Sequence, residues 1–70
     1  MIRIERFRQQ FKTEDEEIEY KLKFMNNITE FINDKHSVSR VISVSQQVYN
    51  YPESYMGFIE AWVTYEPPKN

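Results

Sequence analysis

Ile2 and Ile4 alternate with Arg3 and Glu5 at the start of the chain, the period of two expected of a strand with one buried face. Arg6 and Arg8 then fall in phase with the isoleucines, so the strand is expected to end near Phe7 or to turn over at a bulge there. Gln9 to Thr13 read as a connection, with Phe11 tucked against the domain. Thr13 and Glu16 then stand at capping-box spacing, where the hydroxyl accepts from a free backbone N–H and the carboxylate reaches back. Glu14, Asp15, Glu16 and Glu17 bring negative charge to the positive end of a helix dipole. Ile18, Leu22, Met25, Ile28 and Ile32 follow at spacings of four, three, three and four, which draws one apolar stripe. Phe24 and Phe31 widen it, with Tyr20 beside them. Glu17 with Lys21, and Glu19 with Lys23, form i,i+4 pairs on the outer surface. The pattern predicts a helix from about Glu14 to about Asp34, roughly 30 Å long.

A second strand is expected from about Val38 to Tyr49, with Val38, Ile42, Val44 and Val48 on the core face and Arg40 and Gln46 interrupting it. Asn50 to Ser54 form the turn. The third strand, about Tyr55 to Glu66, puts Tyr55, Gly57, Ile59, Ala61, Val63 and Tyr65 on one face. Met56, Phe58, Glu60, Trp62, Thr64 and Glu66 take the other. So short a turn makes the last two strands an antiparallel hairpin. Its expected register sets Ile42 opposite Val63 and Val44 opposite Ala61, with Gln46-Gln47 as a candidate bulge. Residues 67–70, Pro-Pro-Lys-Asn, cannot continue a strand and are expected to be a loose tail. The expected fold is one α+β domain over residues 1–66, of β-α-β-β order, with one long amphipathic helix packed on a three-stranded sheet.

Composition narrows how such a domain holds together. A core drawn from 70 residues is marginal. With no cysteine there are no disulfides, and with a single histidine, His36, structural zinc is disfavoured. Oligomerisation is the remaining device. Hydrophobic residues at 40% against 29% charged place the chain among folded domains rather than disordered ones. A net charge of −2 gives no global attraction to nucleic acid or anionic lipid. Charges from the third residue onward argue against a signal-peptide core, and no stretch approaches membrane-spanning length, so a cytoplasmic location is expected.

The sheet face turned away from the helix is the candidate surface. It is expected to carry Phe7, Val41, Tyr49, Met56, Phe58 and Trp62 among small polar residues, more apolar area than a soluble monomer exposes. Burial against another copy of the chain is the expected use of that face. Tyr49, Phe58 and Trp62 also suit the stacking of a flat ring. Arg3, Arg6 and Arg8, with Lys12, are the one basic concentration, and guanidinium forks suit phosphates. Solvation and protection of an edge strand explain the same arginines. A nucleotide-like small molecule is therefore the candidate ligand, and a partner protein bound without any ligand is the alternative.

Catalytic chemistry finds no support. His36 falls at the expected helix end, where it interacts with the dipole. No serine has a histidine and carboxylate partner by motif. The acidic run Glu14–Glu19 lacks the alternation and glycine of a calcium loop, and there is no phosphate loop. No catalytic residue, metal ligand or cofactor is assigned, and the chain reads as a non-enzyme. Duplex DNA is disfavoured, because the basic cluster is short and the helix acidic.

In element order and length the chain resembles the dodecins, small flavin-binding proteins that assemble into hollow dodecamers. Their flavin-stacking tryptophan lies on the second strand whereas Trp62 falls on the third, so no flavin residue transfers. Asn27-Ile-Thr-Glu-Phe-Ile-Asn33 and Ala61-Trp-Val-Thr-Tyr-Glu66 look like stretches of short sporulation-associated bacterial proteins of the same layout. Small phage and mobile-element proteins also look like this, including ones that sequester signalling nucleotides or block a host protein. These resemblances imply a bacterial or phage origin and a binding role.

Overall fold

The computed structural model describes residues 1–69. Four elements follow in order: β1 (Arg3–Phe11), α1 (Glu14–Ile32), β2 (Arg40–Asn50) and β3 (Gly57–Glu66). The sheet order is β1-β3-β2, and β3 runs antiparallel to both neighbours. The fold is α+β, one helix on a three-stranded antiparallel sheet.

The start of α1 is built as its residues dictate. Thr13 is the N-cap, and its hydroxyl accepts from the Glu16 amide at 3.1 Å. The Glu16 carboxylate reaches back one residue further than a capping box requires, accepting from the Lys12 amide at 3.0 Å. Glu17–Lys21 and Glu19–Lys23 are ion pairs at 3.4 and 3.3 Å. Asn50 Nδ2 donates to Glu17 at 3.4 Å, tying the helix start to the end of β2. The helix stops at Ile32, two residues before the expected Asp34. Asp34 belongs to the following turn, where its carboxylate accepts from the His36 amide and the Ser37 hydroxyl. The Ser37 bond, then the His36 amide, hold its carboxyl below the usual value. Among the described residues no helix is long and apolar enough to cross a membrane.

β3 alternates as expected. Ile59, Ala61 and Val63 are fully buried and Tyr65 nearly so. Three other expectations are corrected. β1 runs straight through to Phe11 without a bulge, and its odd residues face the helix. Phe7 and Phe11 therefore point inward, while Ile4 sits opposite Thr64 on the open face. Two phenyl rings bury more apolar surface than Ile2 and Ile4, and choosing them flips every side chain of the strand.

The helix is rotated relative to its expected stripe. Phe24 and Ile28 are buried, with Tyr20, Phe31 and Ile32 packed around the core, while Ile18, Leu22 and Met25 are exposed. Edge-to-face contacts of Phe7 with Phe24 and Phe31, and of Phe31 with Tyr65, hold the helix over β1 and β3.

The hairpin register also differs. Val44 faces Val63 and Gln46 faces Ala61, because a bulge falls at Ile42 rather than at Gln46-Gln47. That extra residue turns Val41 to the helix side, opposite Tyr65. Val38 is buried but precedes the strand. Of the tail expected over 67–70, Pro67 and Pro68 are half-buried and Asn70 lies outside the described residues.

Gly57 is buried between Phe11 and Asn50 in the sheet register. A Cβ there would overlap the Tyr49 carbonyl oxygen and lie 2.9 Å from the Phe11 ring. Backbone cannot yield as a flexible side chain does, so G57A should lower unfolding free energy by about 1–3 kcal/mol. The core assignment separates two further variants in urea melts. F24A should cost about 3–5 kcal/mol, since it empties a buried aromatic site, whereas L22A should cost about 0.5 kcal/mol or less. Equal losses in the two would place the helix face wrongly.

Candidate functional site

The open face is assembled from alternate residues of all three strands. β1 contributes Ile4, Arg6, Arg8 and Gln10; β3 contributes Phe58, Glu60, Trp62 and Thr64; β2 contributes Ser43, Ser45, Gln47 and Tyr49. Direct cross-strand pairing then fixes which of them meet. Tyr49 and Phe58 are register partners and stack with ring centroids 4.7 Å apart at 28°. Arg8 lies on the other side of Phe58, its guanidinium carbon 4.1 Å from the ring centroid. Guanidinium, phenyl and phenol thus form a layered stack across three strands.

Glu60 organises the next row. Its carboxylate accepts from Arg6 at 3.1 Å and from the Trp62 indole N–H. The Trp62 bond, followed by Arg6 and the charge of Arg8, holds the Glu60 carboxyl below its usual value. Trp62 keeps 46% of its surface exposed despite that bond. Between it and Tyr49 lies a hollow of about 350 Å³ lined by Ser45, Gln47, Tyr49, Glu60 and Trp62. The Gln47 amide oxygen accepts from the Tyr49 hydroxyl, which orients that ring at the rim. Among the described residues no carboxylate pairs with Arg8, whereas Arg6 pairs with Glu60 and Arg40 with Glu66.

Arg6, Arg8, Tyr49, Phe58 and Trp62, expected as a ligand set from sequence, therefore share this face. Arg3 does not, being opposite Tyr65 on the helix side. Phe7 and Val41, expected on the open face as contact residues, also belong to the helix side. Continuous alternation in β1 moves Phe7, and the bulge moves Val41. Met56 lies in the turn just before β3, 36% exposed. Sequence reasoning did not single out Glu60, Gln47 or Ser45. Their signal was alternation itself: Glu60 stands two residues from both Phe58 and Trp62, and Gln47 and Ser45 share the phase of Tyr49.

A second hollow of about 520 Å³ lies on the helix side, bordered by Arg3, Glu5, Phe31, His36, Tyr65 and Pro67 among others. Its walls carry no stacked aromatic pair and no free ring face comparable to Trp62. Among the described residues no three histidine or carboxylate side chains gather as a metal site needs. No protein-family model, curated protein or solved structure matches this chain, so the site is read from its own geometry.

The pH dependence of this row follows from Glu60. Its folded value lies below the unfolded one, so the carboxylate contributes stability above the unfolded value, and this is lost as pH falls through the folded value. Acid melts should show that loss in the wild type, and E60Q should flatten the profile below pH of about 4.5, the ordinary glutamate value. An unchanged acid limb in E60Q would show that the Arg6 and Trp62 bonds do not favour the charged form.

Proposed function

We propose that the protein is a small non-enzymatic binding module that holds a nucleotide-like molecule on the open face of its sheet. The observation that carries this reading is the conjunction of an exposed indole bordering a polar-rimmed hollow with an unpaired guanidinium, that of Arg8, on the far strand. A flat ring covers Trp62 or Tyr49, its exocyclic groups meet Ser45 and Gln47, and its phosphate reaches across β3 to Arg8. Adjacent strands are about 4.8 Å apart, so β2 to β1 spans roughly 10 Å, within reach of a nucleotide lying across the sheet. Glu60 neutralises Arg6, which limits the anionic charge the face accepts and disfavours extended nucleic acid. A cytoplasmic site of action is part of this proposal, in keeping with a chain that uses no cysteine.

A second reading is favoured by a separate observation. Ile18, Leu22 and Met25 are each more than half exposed on the helix, a surface suited to a regulatory or inhibitory contact with another protein.

The test is a titration of Trp62 fluorescence with nucleosides, nucleotides, cyclic nucleotides and flavins at low and high salt. Binding of nucleotides should weaken with salt, and R8Q should weaken it about tenfold, the value of one charge-assisted bond. R8Q should leave nucleosides unaffected, whereas Y49A should weaken both classes. Absence of any response to the whole panel would transfer the function to the protein-contact reading.

A further inference from the structure

We propose that two copies of this chain join edge to edge through β2, antiparallel about a two-fold axis at Gln46, into one continuous six-stranded sheet. β1 and β2 are the two edges, because β3 lies between them. They are defended very differently. β1 carries charge at Arg3, Glu5, Arg6 and Arg8, four of its nine positions. β2 carries charge only at Arg40 in eleven. Exposed edges are normally guarded by charge, proline or a bulge. On β2 the bulge at Ile42 and Pro52 lie outside the stretch from Ser43 to Asn50, leaving it unguarded. Every residue of β2 is exposed.

The occupant is identified by the pattern of that stretch. With the axis at Gln46, Val44 of one copy meets Val48 of the other on the helix side. Gln46 meets its own counterpart, and on the open face Ser45 meets Gln47. From Ser43 to Tyr49 apolar side chains oppose apolar ones and hydroxyl or amide groups oppose hydroxyl or amide groups, with no charge set against another; Asn50 meets Ile42 at the bulge. Moving the axis by one residue either way sets Val44 against Gln46 or Asn50 and loses that match. A second copy of β2 is therefore the complementary strand. Val44 and Val48 are 47% and 40% exposed because α1 does not cover them, so the pairing buries apolar surface besides satisfying edge backbone groups.

The pairing stands whether or not a ligand binds, but it changes the site. Ser45, Gln47 and Tyr49 form the β2 wall of the open-face hollow. Across the axis the same wall of the second copy continues it, turning two shallow hollows into one trough. A short edge contact buries less than a standard interface of about 800 Å² per partner, so a micromolar dimer is expected.

Light scattering and sedimentation of the full chain from about 5 to 500 µM should give a dimer mass at the upper end. V44K with V48K should be monomeric throughout, since like charges then oppose each other at two positions. V44K with V48E should restore the dimer, because this register sets opposite charges against each other across the axis. Far-UV circular dichroism checks that each variant is folded. Independently of those variants, Q46C should form a disulfide dimer under mild oxidation, while Q9C on the β1 edge should not; the chain has no other cysteine. A wild type monomeric at every concentration would overturn the proposal. So would a V44K/V48K variant that keeps the dimer mass, a V44K/V48E variant that stays monomeric, or cross-linking of Q9C equal to that of Q46C.

Discussion

One helix is about 10 Å wide and strands lie about 4.8 Å apart, so a single helix covers two strands and not three. That mismatch governs the rest of this molecule. β3 is central and must be covered, leaving the helix to choose between β1 and β2 for its second strand. Phe7 and Phe11 decide the choice, because the Phe7 ring meets Phe24 and Phe31 while the Phe11 ring closes over Gly57. The core that results is Phe11, Phe24, Ile28, Val38 and the inward row of β3. Val44 and Val48 are left uncovered as a direct consequence, and so is the Ile18–Leu22–Met25 flank of the helix.

This constraint also explains what the amino-acid pattern could and could not reveal. The helix start was legible because capping and dipole chemistry are local to Thr13–Glu17. The two faces of β3 were legible because a strand with neighbours on both sides alternates without interruption. The phase of β1 was not, since isoleucines occupy one phase and phenylalanines the other, and only the position of the helix decides between them. For the same reason an apolar stripe of five residues did not reveal which part of it would be buried. The bulge at Ile42 has no turn residue to mark it. The adjacent pair Val41-Ile42, too apolar for strict alternation, was its one trace.

The open face shows the same division between local and cross-strand information. Its aromatic members were visible as residues, and five of the six expected ligand groups do meet there. Their arrangement was not visible, because it depends on the register of three strands. Arg8 reaches Phe58, and Arg6 reaches Glu60, only through the β1–β3 pairing. Arg3 shares the composition of that cluster but not its phase. A basic run within a strand therefore divides between two surfaces, and one of the three arginines of β1 leaves the open face on folding.

Glu60 then has a role that exceeds its one charge. Without it, Arg6 and the Trp62 indole would each lose the partner that holds them. With it, two groups from different strands are held by one carboxylate, and the indole is fixed with much of its surface still open to solvent. A side chain ordered before binding loses less entropy when a ring settles on it, and an immobilised rotamer-rich side chain costs about 0.5–1.5 kcal/mol. The ion pair itself is worth little on an exposed sheet face. Its value lies in positioning, which is why a carboxylate belongs between Arg6 and Trp62 in the middle of the face.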